Sequence, residues 1–397
     1  MAANPQDDFD FDPIPDPDAA IIPFDKLTRD IKAAAEELTK PQARFFVDMY
    51  YGVQAERIRT SNQVRAASER PDNIPEEEWE PEPNEMLTWM TQQQGFLENN
   101  LRTVLNTWSD RYVVGRWAKS QHGIGPVLGA GLLAHIDTQF TTSVSKLWRF
   151  AGLDPTSTWI GKEGAKEIVK ELLGKETKAP KGGFPYDLVA QAAILANRPP
   201  QSIFRLAGMY DKKRDQPVTR ESLTMALARR PWNARLKVLC WKMGQSFMKT
   251  HNSPNAFYGH IYADRKRLEV ERNLAGMFRD QADLAIETRK IGSGTATYKW
   301  YSGSLTPEMA AQIAAAPAER REGLTLKLAG KPGSGVAMLP PARIDLRAQR
   351  IPVKLFLSHY WEVAWMENTG QSGIEPWIIQ YGDHHDLIPV PGWPFDK

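Results

Sequence analysis

Cysteine is nearly absent, because the 397-residue chain contains only Cys240. A lone cysteine cannot form a disulfide within the chain, and it excludes a zinc site built on a cysteine cluster. Cys240 lies between Leu239 and Trp241 in an apolar segment, so we interpret it as a core residue. The scarcity of cysteine favours a cytoplasmic protein over a disulfide-stabilised secreted one.

Long apolar runs are also missing, since no stretch approaches the roughly 20 residues that a membrane helix needs. The N-terminus is acidic and lacks a basic segment followed by an apolar one, so the sequence predicts no export signal. A hydrophobic fraction of 42% is nevertheless enough for a substantial core. We therefore predict a globular protein of the cytoplasm with no membrane partner.

An excess of charge of one sign is lacking overall, as the net charge is only +2. The charges are unevenly distributed, however. Residues 1–20 and 71–100 are acidic, whereas basic residues far outnumber acidic ones between 205 and 272. Acidic arms beside a basic region are typical of chains that bind nucleic acid.

The most informative stretch runs from Gln121 to His135. A helical apolar pattern precedes it, a short apolar helix is predicted at its end, and Gly123-Ile124-Gly125-Pro126 lies between them. Two glycines permit positive φ and close backbone approach, and proline suits the first turn of a helix. We predict a helix-hairpin-helix motif that holds a DNA backbone phosphate, through Lys119, Gly123, Ile124, Gly125 and Val127. The alternative, a turn that only joins two core helices, stays open here.

Three stretches carry a resemblance to a known family: Gly123–Ile136, Lys146–Pro155 and Arg230–Leu239. They resemble the C-terminal domain of DEDD-type insertion-sequence transposases, with an interruption between Gly161 and Arg229. The whole chain also resembles phage and prophage proteins described as transposase-like. The resemblance implies a DNA-binding protein of phage or mobile-element origin, in the cytoplasm of a bacterial or phage-infected cell.

The catalytic half of that family has no counterpart in the sequence. The resemblance implies a nuclease domain built on strands that end in aspartates, but no apolar strand run occurs before residue 100. The nucleophilic serine of the family would correspond to Ser157, in a stretch that departs from the family pattern. No histidine or carboxylate is evidently placed to activate Ser157. We therefore lean towards a protein that is not an enzyme and needs no cofactor.

Two predicted helices combine basic residues with apolar faces. The first, over residues 231–250, is preceded by Arg230, and we assign Arg230, Asn233, Arg235 and Lys237 to the DNA-binding surface. The second spans residues 256–290, where Arg265 and Lys266 give the strongest local positive charge. The alternative for both helices is an ordinary solvated face.

A metal site near the C-terminus is the remaining chemical possibility. His359 and Glu362 share a face of a predicted helix, and His384 and His385 follow in the tail. Such residues can ligate zinc, but helical spacing plus a distant histidine pair often occurs by chance. We assign no metal and expect the tail to pack as an extended strap.

These observations predict a mainly α fold that contains the helix-hairpin-helix motif. We divide the chain into a disordered acidic arm (1–24), N-terminal helices with an acidic proline-rich loop (25–100), a DNA-binding helical domain (101–291), a linker-like region (292–340) and a C-terminal helix with a strap (341–397). The predicted function is sequence-tolerant binding of DNA through its phosphates, and a homo-oligomer is compatible with it. A diverged serine-dependent transposase or recombinase and a structural or interaction protein remain as alternatives.

Overall fold

The structure is a computed structural model that describes residues 27–70, 75, 84–138, 141–173, 183–208, 218–371 and 387–394. Within these residues the chain is 71% helix, in seventeen α-helices with no strand, which confirms the predicted mainly α class. No helix among them is both long and apolar enough to cross a membrane. The predicted acidic arm, most of the proline-rich loop and the pair His384 and His385 lie outside the described residues.

The chain divides into two compact units, residues 1–108 and 109–397. In the first unit, α1 (Arg29–Ala34) and α2 (Lys40–Ser68) are followed by α3 (Glu85–Asp110). Thr39 and Gln42 form a capping box at the start of α2. An ion pair of 2.8 Å between Arg57 and Glu98 connects α2 to α3.

The second unit contains the other fourteen helices. They are α4 (Val113–Ser120), α5 (Pro126–His135), α6 (Val144–Phe150), α7 (Gly161–Leu173), α8 (Tyr186–Leu195), α9 (Pro200–Ala207), α10 (Arg220–Ala228), α11 (Ala234–Thr250), α12 (Phe257–Leu274), α13 (Arg279–Thr288), α14 (Ala296–Tyr301), α15 (Pro307–Ala315), α16 (Arg321–Leu328) and α17 (Pro341–Thr369). The long helix α17 packs against α4, α6, α11 and α12. Phe356 of α17 lies at the centre of this packing, with Trp117, Phe247 and Tyr258 around it.

Helices α7 to α10 form a second apolar cluster within the same unit. Val169, Ile203, Phe204 and Leu223 are fully buried there. This cluster occupies the stretch in which the resemblance to the transposases is interrupted. Its helices therefore bury an apolar core of their own.

Two stretches differ from the sequence-based expectations. The helix expected over 256–290 is broken at Gly276, whose φ of 76° ends α12 before α13 begins. Residues 292–340, expected to be linker-like, contain α14 to α16 and bury Trp300, Leu305 and Ile313. The glycines and serines of this stretch lie mainly between short helices. Its composition therefore indicated a linker, although the region is packed.

Candidate nucleic-acid interface

The hairpin between α4 and α5 is a tight turn held against α11. Gly123 has a φ of 96°, and the N–H of Ile124 donates to the carbonyl of Gln121 at 3.0 Å. The hydroxyl of Ser246 donates to the carbonyl of Gly123 at 2.6 Å, which ties the turn to the C-terminal half of α11. The side chains of Ile124 and Val127 are buried beneath it. These two side chains therefore belong to the core beneath the turn.

The two glycines of the hairpin are constrained differently. At Gly123 the left-handed backbone disfavours any side chain, and a Cβ would lie 3.3 Å from atoms of Ser246, Phe247 and Thr250. At Gly125 φ is −83° and ψ is 173°, which any residue can adopt, and a Cβ would meet no atom within 4 Å. The fold therefore explains glycine at position 123 but leaves the space above Gly125 open.

This open space lies at the N-terminus of α5. No side chain caps the helix, and among the described residues the N–H groups of Gly125, Val127 and Leu128 have no hydrogen-bond partner. Of these three residues, Gly125 lines an open concavity of about 580 Å³. Ser120, His122 and Asn255 also line it. Uncapped N–H groups at a positive helix end form an arrangement that can hold an anion.

Lys119 does not project freely into this concavity. Its ammonium group pairs with Asp110 at 2.5 Å, and its stem lies close to the backbone of Gly129. Only 11% of its side chain is exposed. Lys119 thus helps to hold α4 on α5 in this structure.

The predicted contacts around α11 separate into two groups. Asn233 caps α11 with its own side chain, which accepts hydrogen bonds from the N–H groups of Arg235 and Leu236. Asn233 is about 20 Å along the helix axis from Ser246, at about 1.5 Å per residue. Arg235 lies on the same side of α11 as Ser246, about three turns earlier, whereas Lys237 is rotated from Arg235 by roughly 200°. Of the predicted contacts on α11, only Arg235 therefore lies on the side of the helix against which the hairpin packs.

Arg230 and Lys237 instead face a different part of the surface. The guanidinium of Arg230 lies 4.7 Å from the ring centre of Trp159, and the ammonium of Lys237 lies 4.0 Å from that of Trp232. Burial lowers the pKa of Lys237, and the nearby charges of Arg350 and Arg230 lower it further. Lys237 is thus surrounded by cations.

Arg265 and Lys266 each form an ion pair with a carboxylate of the protein. Arg265 pairs with Glu269, which is only 1% exposed and is also contacted by Arg347 at 2.7 Å. Lys266 pairs with Asp345 at 2.9 Å. Because both cations neutralise carboxylates of the protein itself, we do not include Arg265 and Lys266 in the proposed interface. The sequence showed their charge but not the pairing of Lys266 with Asp345 on α17.

Ser157, the serine suggested by the family resemblance, lies in the loop between α6 and α7. In the described part of the chain its hydroxyl makes no hydrogen bond. Asp154 lies nearby along the loop, but hydrogen bonds from Thr156, with a smaller effect of Arg149, lower its pKa to about 2. A carboxylate that holds protons so weakly is a poor general base.

Both ring nitrogens of His359 form hydrogen bonds within the protein and are therefore not available to a metal. Its Nε2 lies 2.9 Å from the carbonyl oxygen of Ile388, which can only accept, so Nε2 carries the proton. Its Nδ1 then accepts the hydroxyl of Tyr258 at 2.8 Å. Burial lowers the pKa of His359 to about 4 and raises that of Glu362. Within the described residues no three potential metal ligands come together.

The described part of the C-terminal tail, residues 387–394, forms hydrogen bonds with the helices. Ile388 contacts His359, and the carbonyl of Pro391 accepts from the indole of Trp117 at 2.9 Å. The indole of Trp393 approaches the sulfur of Met366 at 3.0 Å. Residues 387–394 thereby connect α4 with α17.

Four arginines, of which the sequence singled out only Arg230 as a contact, converge near the start of α11. Arg198, Arg205, Arg229 and Arg230 line one concavity of about 1260 Å³. They come from the α8–α9 turn, from α9 and from the α10–α11 loop. The basic excess between 205 and 272 includes Arg205 and Arg229 but not Arg198, and nothing in the sequence indicated that the four converge, because their convergence depends on the packing of α9 against α10.

The chain matches no protein-family model, no curated protein and no solved structure.

Proposed function

We propose that the protein binds duplex DNA in a sequence-tolerant manner, with the hairpin and the N-terminus of α5 holding a backbone phosphate. The observation that carries this proposal is the uncapped helix end at Gly125, which lines an open concavity and whose N–H has no partner among the described residues. Helix N-termini favour anions through both these donors and the helix dipole. Phosphate is the anion that DNA presents at regular intervals, whatever its sequence.

Basic side chains on α11 extend this surface. Arg235, Lys242 and Lys249 are spaced by seven residues, so they follow one side of the helix next to Ser246. Arg235 and Lys249 are exposed, and Lys242 is half-buried. A row of cations beside a phosphate-binding hairpin would bring further phosphates of the same duplex into contact.

A phage or mobile-element setting is part of the proposal and rests on the sequence resemblance alone. A cytoplasmic location is proposed from the single cysteine and the missing export signal, and self-association is compatible with the proposal without being required by it. The absence of a described acid–base partner for Ser157 favours a binding protein over a serine-dependent recombinase. In this proposal the protein positions DNA without cutting it.

The test is the salt dependence of binding to two duplexes of unrelated sequence and equal length. Fluorescence anisotropy of the full chain should give similar affinities for both. The logarithm of the binding constant should fall with the logarithm of the salt concentration by about 0.9 for each phosphate neutralised. Strong preference for one sequence, or binding that is absent or insensitive to salt, would contradict the proposal.

A further inference from the structure

The four arginines near the start of α11 have no internal counter-charge. No carboxylate lines their concavity, and none of the four forms an ion pair in the part of the chain that the structure describes. The arginines around Glu269 behave differently, since Arg265, Arg272 and Arg347 share that carboxylate. Like charges held together without a partner repel each other, and an external anion relieves that repulsion.

Several of these side chains are held in place before any ligand binds. Arg198 donates to the carbonyl of Arg229 at 2.7 Å. Arg230 lies over the ring of Trp159, which is 46% exposed. Burial, and then the charge of Arg229, lowers the pKa of Arg198. A guanidinium fixed in this way loses less rotamer entropy when it meets a phosphate.

The concavity continues into two others. It shares Arg198, Ser202 and Pro231 with a concavity of about 570 Å³, and that one meets a third, of about 390 Å³, at Ser157. Lys237 and Arg350 line the third. We call the three together the arginine channel. Asp154, the one carboxylate among the described lining residues, pairs with Arg149 at 3.0 Å. The cations at both ends suit a chain of phosphates better than a single small anion.

Exposed aromatic rings mark both ends of the arginine channel. Phe150 lines the first concavity and is 36% exposed, and Trp241 lines the third and is 55% exposed. Neither ring stacks on another ring or on a cation among the described residues. Free aromatic rings beside cations stack unpaired bases, whereas the bases of a duplex are already stacked on one another.

We infer that the arginine channel binds a single strand of nucleic acid, with phosphates on the arginines and bases on Phe150 and Trp241. The channel is distinct from the hairpin, since it begins at the other end of α11 and continues along the side of Lys237. The single strand could be DNA or RNA, because both present phosphates and unpaired bases. The inference does not depend on duplex binding by the hairpin.

The test uses the full chain and labelled oligo(dT) and oligo(U) of about 20 nucleotides, a length suited to such a site. The double variant R205Q/R229Q removes two exposed arginines that have no side-chain partner among the described residues. Its matched control, R289Q/R320Q, removes two exposed arginines that do not line the channel. Thermal melting of each variant checks the fold.

We expect R205Q/R229Q to weaken binding of at least one oligonucleotide by about tenfold or more, because two charge-assisted contacts are lost. Its salt slope should fall by about 1.4, at about 0.7 per phosphate on a single strand. W241A should weaken binding by about fivefold or more through lost stacking. The control should bind like the wild type.

The outcomes separate this inference from duplex binding. Loss of oligo(dT) binding alone assigns the channel to DNA, and loss of oligo(U) binding alone assigns it to RNA. No oligonucleotide binding by the wild type, or equal binding by R205Q/R229Q and its control, overturns the inference. An equal loss of duplex binding in R205Q/R229Q would overturn it as well, because the channel would then hold duplex backbone. Single-strand binding without duplex binding would refute only the hairpin proposal.

Discussion

Replacing Gly125 with aspartate should stabilise the fold and weaken duplex DNA binding at the same time. The backbone at Gly125 suits any residue, and a side chain there meets no other atom within 4 Å. Aspartate is a preferred N-cap, and its carboxylate would accept hydrogen bonds from N–H groups at the start of α5. Those are the donors that we assign to the phosphate. The substitution therefore occupies the site and adds a negative charge to it.

The two effects can be estimated separately. Better capping contributes a few tenths of a kcal/mol, and the charge adds about 0.3–1 kcal/mol through the helix dipole. A carboxylate about 4 Å from a phosphate costs about 1 kcal/mol if the dielectric constant is that of water, and about 4 kcal/mol if it is 20. Gly125 is exposed, so we use the lower value. Duplex affinity should then fall by about fivefold or more.

Gly125→Asn is the matched control, because asparagine caps a helix similarly and carries no charge. Anisotropy with duplex DNA at two salt concentrations, together with thermal melting, measures both effects. The aspartate variant should melt higher than the wild type and bind less tightly than the asparagine variant. The difference in affinity should shrink as salt increases. If both variants cap the helix and bind duplex like the wild type, the hairpin is a joint between core helices.

Two further predictions concern residues away from the proposed contacts. Because burial lowers the pKa of His359 to about 4, the unfolded chain should take up a proton at this residue between pH 6.5 and 4 while the folded chain does not. Denaturant melts should show stability falling by up to about 3 kcal/mol over that interval, and more shallowly in H359Q. Lys266→Ala leaves Asp345 without its ammonium partner, so it should cost about 1 kcal/mol of stability. Its duplex affinity should match that of the wild type, and a loss of binding without a loss of stability would return Lys266 to the interface.

The helical class and the position of the turn between α4 and α5 could be predicted from local sequence. Apolar spacing and Pro126 predicted the start of α5, and glycine at position 123 indicated the left-handed turn. These features depend on residues within a few positions of one another. Gly276 escaped notice because a single glycine inside a helical pattern is often tolerated.

Local sequence could not predict which basic side chains pair with a carboxylate. Lys266 pairs with Asp345, which is far along the chain, and Lys119 pairs with Asp110 across the break between α3 and α4. The arginine channel has the same origin, since Arg198 and Arg229 meet only because α8 to α10 pack together. Partners at long sequence separation follow from tertiary packing, which has no local signal in one sequence.

Positive charge alone is therefore a poor guide to where an anionic polymer would bind this protein. Arg265 and Lys266 lie in a run of three basic residues, yet each pairs with a buried or half-buried carboxylate. Arg205 and Arg229 are far apart in the sequence but face a concavity that no carboxylate of the described residues lines. Releasing Arg265 to a phosphate would leave Glu269 buried with one cation fewer, at a cost that offsets the new contact. Arg205 and Arg229 meet no such cost, which is why the proposed single-strand site is at the start of α11 and not on α12.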